Sequence, residues 1–207
     1  MDQPSHAPNP YLSDPDVQLF LEFQKGEARA FDTLMHKYYK RVLNFLYRYC
    51  ADAALAEDLT QEVFLKVYEN ASRYTPQSKL QTWIYTIAHN LVLNELRTRK
   101  RKMVSIEATF ESDDSTLKRQ FEDPNTPSPA QGILDEEKQD IIRKAILSLP
   151  ENQRTAVLLR RFEDMSYEEI AQAMQTSVQA VKSLLNRAKE NLREKLADFV
   201  KDEKKDK

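Results

Sequence analysis

Glycine is almost missing: the 207 residues contain two, Gly26 and Gly132. Tight turns with left-handed backbone must therefore be scarce, which disfavours hairpin-rich all-β folds. There is one cysteine, Cys50, so no intrachain disulfide and no multi-cysteine metal site is possible. That fits a reducing cytoplasm. Three histidines, His6, His36 and His89, complete a donor set too thin for metal chemistry, and neither a metal nor a cofactor is expected. No apolar run is long enough to span a bilayer, and the polar, proline-rich start Met1 to Pro15 has no signal-peptide core. No membrane insertion is expected. That start reads as a disordered tail over residues 1–15.

What remains is helix-forming material, rich in Leu, Ala, Glu, Lys, Arg and Gln. The net charge of −2 conceals a segregation. Residues 1–103 carry 14 basic and 12 acidic side chains, 104–137 carry 2 and 9, and 138–207 carry 15 and 12. Two faintly basic modules flank a strongly acidic connector. The connector holds Pro124, Pro127 and Pro129 without periodicity, so it reads as extended and flexible. The expected fold is all-α: two small helical domains, residues 16–103 and 135–198, a flexible acidic linker over 104–134, and a charged tail over 199–207.

Apolar spacing of three and four predicts helices over 17–24, 27–50, 52–70, 80–102, about 133–148, and from Pro150 to about Phe162. In the third of these, Asp58, Gln61, Glu62 and Leu65 share one side, while Leu59, Val63, Phe64 and Val67 face another. An acidic, amide-bearing stripe with a leucine in it suits a helical partner that offers arginines and an apolar spot. A merely solvated face is the competing reading of the stripe taken alone.

Further along, Ser166-Tyr167-Glu168-Glu169 is a capping box, and Thr176 or Ser177 can cap the helix after a short turn. That helix puts Val178, Val181, Leu185, Ala188 and Leu192 on one face, and Gln179, Lys182, Ser183, Asn186 and Arg187 on the other. This is a helix-turn-helix pattern whose second helix offers the amides and cations that read base edges in a major groove. A plain helical hairpin is the bland alternative. On the long helix from Leu80, Thr86, Asn90, Asn94, Arg97 and Arg101 form a polar stripe that turns basic. Trp83 and Tyr85 flank its start, and the loop bearing Tyr74 precedes it. Aromatics beside polar groups and cations make a platform for unpaired bases. The cations also suit the negative end of the helix dipole, and Trp83 by itself reads more readily as core.

Four motifs in order carry a resemblance: Asp58-Leu59-Thr60-Gln61-Glu62-Val63-Phe64, Thr82-Trp83-Ile84-Tyr85-Thr86-Ile87-Ala88-His89-Asn90, Leu149-Pro150-Glu151-Asn152-Gln153-Arg154 and Ser166-Tyr167-Glu168-Glu169-Ile170-Ala171. The chain resembles bacterial RNA polymerase sigma factors of the two-domain extracytoplasmic-function group over roughly residues 16–103 and 135–198. The resemblance implies a promoter-specificity subunit rather than an enzyme. Its partners would be core RNA polymerase (the β′ clamp helices and the β flap), promoter DNA and an anti-sigma factor.

It further implies that Asp58, Gln61, Glu62 and Leu65 contact the clamp. Tyr74, Lys79, Thr82, Trp83, Asn90, Asn94, Arg97 and Arg101 would meet the unpaired strand of the −10 element. Gln179, Lys182, Ser183, Asn186 and Arg187 would read the −35 element. Lys182 stands where many relatives carry arginine, and lysine lacks the planar fork. Two rivals stand beside this reading. A stand-alone helix-turn-helix regulator explains residues 138–198 but not the Asp58–Leu65 stripe. A helical hydrolase would need a convergent acid, base or metal set that the sequence does not offer.

Overall fold

The computed structural model describes residues 9–107 and 139–197, with the side chains of 103–107 left aside. All regular structure among them is helical. A 3-10 turn, Pro10–Ser13, leads into α1 (Pro15–Gln24), α2 (Ala28–Cys50), α3 (Ala53–Glu69), a second 3-10 turn (Ala71–Arg73) and α4 (Leu80–Glu107). Then come α5 (139–147), α6 (Glu151–Phe162), α7 (Tyr167–Ala173) and α8 (Val178–Lys195).

Two of the expected boundaries move. Residues 9–14 are structured rather than tail. Asp14 caps α1 by accepting from the amides of Asp16 at 2.9 Å and Val17 at 3.2 Å, and Pro15 supplies the first turn. An acidic cap followed by proline is a strong start signal, and the overall polarity of the segment hid it. At the other end α4 runs on to Glu107, into the span expected to be linker, since Met103 to Ile106 contain no breaker. The rest of the acidic connector and the 199–207 tail lie outside the described residues.

The first module is built on α2. Leu34, Tyr38, Val42, Phe45, Leu46 and Tyr49 are buried along one side of it. Against them pack Val17 and Phe20 of α1, Leu59, Val63 and Val67 of α3, and Ile84, Tyr85, Ala88 and Val92 of α4. Asp16 anchors the α1–α2 contact: Lys37 Nζ lies 2.6 Å from its Oδ1, and the Tyr38 hydroxyl donates to Oδ2. The carboxylate is nearly buried and fully partnered, as burial of charge requires.

The second module wraps α5, α6, α7 and α8 around Ile146, Leu158, Leu159, Met165, Ile170 and Val181. The capping box at Ser166 forms in both directions, and Ser177, not Thr176, caps α8. The two modules are in contact. Helix α4 lies against α7, and α2 lies against α6.

Scarcity of glycine has a visible cost. Gly26 takes φ +103°, but three other left-handed turns fall to Ala51 (φ 55°), Asp164 (φ 54°) and Gln175 (φ 52°). Ala51 ends α2, its amide donating to Tyr47 O. Left-handed backbone costs an L-residue about 1–2 kcal/mol, while glycine loses about 0.4–1 kcal/mol of that advantage through unfolded-state entropy. Ala51→Gly should therefore stabilise the protein by roughly 0.5–1 kcal/mol, or about 2 °C in Tm, measured by thermal melting. An unchanged or lower Tm would contradict the strain assigned to this turn.

Candidate polymerase and nucleic-acid surfaces

Asp52 caps α3 by accepting from the Leu55 amide at 3.0 Å, which fixes the rotation of the helix. Leu55, Leu59, Val63, Phe64 and Val67 then turn inwards, and Asp58, Gln61, Glu62 and Leu65 are exposed together on the outer side. Leu65 keeps 56% of its surface in water, unusual for a leucine whose helix has a core face to offer. One cation does enter the stripe: Lys66 Nζ lies 3.5 Å from Glu62, an exposed pair worth little.

The sequence reading stopped at Leu65, but the stripe continues to Tyr68, three residues on and 57% exposed. Its ring leans on Phe23 and Phe31, each 5.5 Å away between centroids, so it is held in place while still facing out. The three-residue step from Leu65 was the available signal.

The eight residues expected along an unpaired strand, six of them on α4, do not lie on one surface. Asn90, Asn94, Arg97 and Arg101 are exposed on one side of the helix, with Thr86 half-buried at its start. Their neighbour Arg99 is engaged elsewhere, bonding Asp52 and Glu95 at 3.0 Å each, and so ties α4 to the cap of α3. The amide of Leu55, followed by Arg99, holds the Asp52 carboxyl below its usual range.

The other group departs from the expectation. Tyr74 and Thr82 are buried, and Trp83 is half-buried against Phe20 (5.4 Å between centroids) and Tyr74 (4.8 Å). Tyr85, expected to flank the stripe, is fully buried. Aromatic rings gain more from this apolar wedge between α1 and α4 than from water. The hydroxyls of Tyr74 and Thr82 are buried there without a hydrogen-bond partner.

The loop that carries Tyr74 is pinned. Gln24 Nε2 donates to Ala71 O at 2.6 Å and Tyr74 O at 2.9 Å, and Asn9 Nδ2 donates to Pro76 O at 2.7 Å. Lys79, expected on this surface, is exposed but pairs with Glu169 of α7 at 2.8 Å. The partnership raises the lysine and, against burial, lowers the glutamate.

In the second module Gln179, Lys182, Ser183, Asn186 and Arg187 are all exposed on one face of α8, while Val181 and Ala188 are buried beneath them. Asn191 Nδ2 donates to Gln153 Oε1 at 2.8 Å and keeps α8 on α6. The face is one helix wide and carries Lys182 and Arg187, which is the form a major groove admits. His89 is buried beside Thr155, its Nδ1 3.3 Å from the hydroxyl; burial, then Arg97, pushes it down to about 4. Among the described residues no group of three or more His, Cys, Asp or Glu is placed to hold a metal, and no helix is long and apolar enough to cross a membrane.

Comparison with known proteins gives the family. The Sigma-70 region 2 family model matches residues 34–102, and the Sigma-70 region 4 model matches 139–192. The RNA polymerase sigma-H factor of Pseudomonas aeruginosa is 35% identical, covering 90% of this chain and 96% of its own length. The ECF RNA polymerase sigma-E factor of Escherichia coli K12 is 32% identical, over 90% and 96%.

Among solved structures, the sigma factor RpoE of Bartonella quintana, in complex with the anti-sigma factor NepR, shares the fold. Its TM-score is 0.63 at 22% identity, over 81% of this chain and 96% of that one. CnrH, solved with the cytosolic domain of CnrY, shares it at 0.65 and 17%, over 88% and 97%. The chain belongs to the extracytoplasmic-function group of bacterial RNA polymerase sigma factors, the subunits that take core polymerase to its promoters.

Proposed function

We propose a division of labour between the modules. The first, residues 16–103, docks its α3 stripe of Asp58, Gln61, Glu62 and Leu65, extended by Tyr68, on the β′ clamp helices. Asn90, Asn94, Arg97 and Arg101 of α4 then guide the unpaired −10 strand. Tyr74, Thr82 and Trp83 sit under that track, and the buried, unpartnered hydroxyls of Tyr74 and Thr82 would meet a base only if the pinned loop lifts. The second module, 135–198, places α8 in the −35 major groove through Gln179, Lys182, Ser183, Asn186 and Arg187 and rests on the β flap. The protein works in the cytoplasm, catalyses nothing itself, and is restrained by an anti-sigma factor, as the partners named for its structural neighbours suggest.

The single observation that supports this most is the co-existence of an exposed acidic–amide–leucine stripe with an exposed cationic recognition face in one chain. A stand-alone regulator has use for the second surface and none for the first.

Gln61→Ala with Glu62→Ala should weaken binding to core polymerase roughly tenfold or more, since lost hydrogen bonds to charged partners cost ~1.5–3 kcal/mol each. Titration of labelled protein with core enzyme checks this. Unaltered affinity with an unaltered circular dichroism spectrum would remove the clamp assignment.

Asn90→Ala with Asn94→Ala should leave both the melting temperature and polymerase binding alone while lowering transcription from closed duplex, and a template already unpaired at the −10 position should partly restore it. Trp83→Ala should behave differently. Loss of a ring packed on Phe20 and Tyr74 should cost about 3 kcal/mol or more and lower Tm by several degrees. Equal melting temperatures for the two variants would mean that Trp83 is not core.

The free protein should hold duplex promoter DNA weakly at physiological salt, because Lys182, Arg187 and Lys189 supply few phosphate contacts. Core polymerase should make binding tight and selective, and Arg187→Ala should weaken the upstream contact without affecting assembly. Nanomolar, sequence-specific binding by the free protein, indifferent to polymerase, would favour the regulator.

A further inference from the structure

The loop that carries Tyr74 is held from one side, by α1 and the turn that precedes it. Gln24, the last residue of α1, donates through Nε2 to Ala71 O at 2.6 Å and to Tyr74 O at 2.9 Å. Asn9, before the turn, donates through Nδ2 to Pro76 O at 2.7 Å, across 67 positions of sequence. Between these two amides Phe20 packs edge-on against the Tyr74 ring, 4.9 Å between centroids. Lys79 is engaged by Glu169 instead, so α1 acts on residues 71–76.

Asn9 is itself fixed. Its Oδ1 accepts from the Tyr11 amide at 3.0 Å, and its carbonyl accepts from the Leu12 amide at 3.1 Å. The Ser13 hydroxyl donates to Pro10 O at 2.9 Å, and Gln18 of α1 donates through Nε2 to Leu12 O. The turn is thus tied to α1. An oxygen facing an N–H and a nitrogen facing a carbonyl leave one orientation for the Asn9 amide. Three backbone carbonyls between Ala71 and Pro76 are engaged in this way by two side chains that belong to neither proposed surface.

On the inner side the balance is the reverse. The hydroxyls of Tyr74 and Thr82 are buried with no partner. Burial, with Asp14 adding to it, pushes the Tyr74 hydroxyl up to about 12, so it stays a donor without an acceptor. Buried polar groups without partners are unfavourable, and the donors and acceptors on a base edge would supply them. The loop is held by its outer bonds over an unsatisfied interior.

We propose that Asn9 and Gln24 are positioning residues for promoter opening: they restrain the 71–76 loop over the Tyr74 and Thr82 hydroxyls and set how well an unpaired base must bind to lift it. This deepens the proposed reading of the −10 strand and rests on it. Neither residue needs to touch DNA. The restraint opposes opening at every promoter alike, so its removal multiplies the ratio of open to closed complex by one factor. A promoter that is open nearly all the time cannot show that factor, whereas a weak one shows it in full. The restraint therefore confines opening to sequences whose bases bind best.

Trp83 is the chain's one tryptophan and packs on Tyr74, 4.8 Å between centroids, so it reports the loop without a label. In the free full-length protein, acrylamide should quench Trp83 more strongly in Asn9→Ser and in Gln24→Met than in the wild type, and most in the double variant. Serine keeps an oxygen to cap the turn but is too short to reach Pro76, and methionine keeps the bulk of Gln24 without its donor. Each variant is then assembled with core polymerase and given in excess to duplexes randomised over the −10 element. Permanganate reactivity of unpaired thymines reads the open fraction. Asn9→Ser should raise opening of the weakest duplexes about threefold, and the double variant about tenfold, while the best-opened duplexes change by less than about twofold. Asn9→Ser should keep the wild-type melting temperature and affinity for core polymerase.

Wild-type quenching of Trp83 in both single variants would overturn the restraint. A fall in opening on all duplexes, with polymerase affinity intact, would mean that the bonds shape the loop to receive a base, and would overturn it as well. Absence of opening on every duplex with the wild-type holoenzyme would instead defeat the proposed −10 reading, and the role in opening with it, while the quenching series still judges whether Asn9 and Gln24 hold the loop.

Discussion

Arg154 holds the ends of two helices at once, and the position of the whole second module follows from it. Its guanidinium donates to Tyr49 O at the end of α2, and to Leu147 O and Leu149 O where α5 gives way to α6, the last at 3.1 Å. The closing carbonyls of a helix have no partner of their own and carry the negative end of its dipole. A planar cation with five donors answers several of them in one place, and its face also lies 5.2 Å from the Tyr49 ring. Lysine would keep the charge and lose the fork. Once α6 is fixed this way, α7 and α8 follow through the capping box and the short turn after it, and the polar face of α8 points outwards.

The character of the contact between modules matters as much as its place. Within each module the seams are apolar and tight, which makes them permanent at ordinary stability. Between the modules the named contacts are predominantly arginine to carboxylate, arginine to carbonyl, amide to carbonyl and lysine to glutamate. These polar contacts stand beside buried apolar ones, since core residues of both modules, among them Tyr49 and Ala88 of the first and Ile146 and Ala156 of the second, belong to one hydrophobic cluster.

The local grammar of the helices was legible because it acts over three or four residues. The capping box at Ser166, the cap at Ser177, the inward row Leu59, Val63, Phe64 and Val67 and the outward face of α8 all lie where their spacing put them. Contacts that reach across the chain were not legible. Arg99 lies among the cations towards the end of α4, and nothing near it in sequence marks its partner Asp52, which stands 47 positions away. Tyr74, Thr82 and Tyr85 looked like a platform because polar-capped side chains at helical spacing read alike on either face. Contacts from other helices put the rings inside: Phe20 of α1 packs on Tyr74, and Phe45 of α2 packs on Tyr85. The contact between the modules left no periodic mark, since nothing in the spacing of Arg41 and Glu163 shows that they pair.

Cys50 adds a different kind of consequence. Its sulfhydryl sits half-buried at the end of α2, donating to Leu46 O at 3.1 Å and within 3.4 Å of Asp52 O, and burial pushes the thiol up. Oxidants attack the thiolate, and this environment suppresses it. With one cysteine in the sequence the chain cannot close an internal disulfide, and Cys50 serves as a packed, hydrogen-bonded closure to the end of α2.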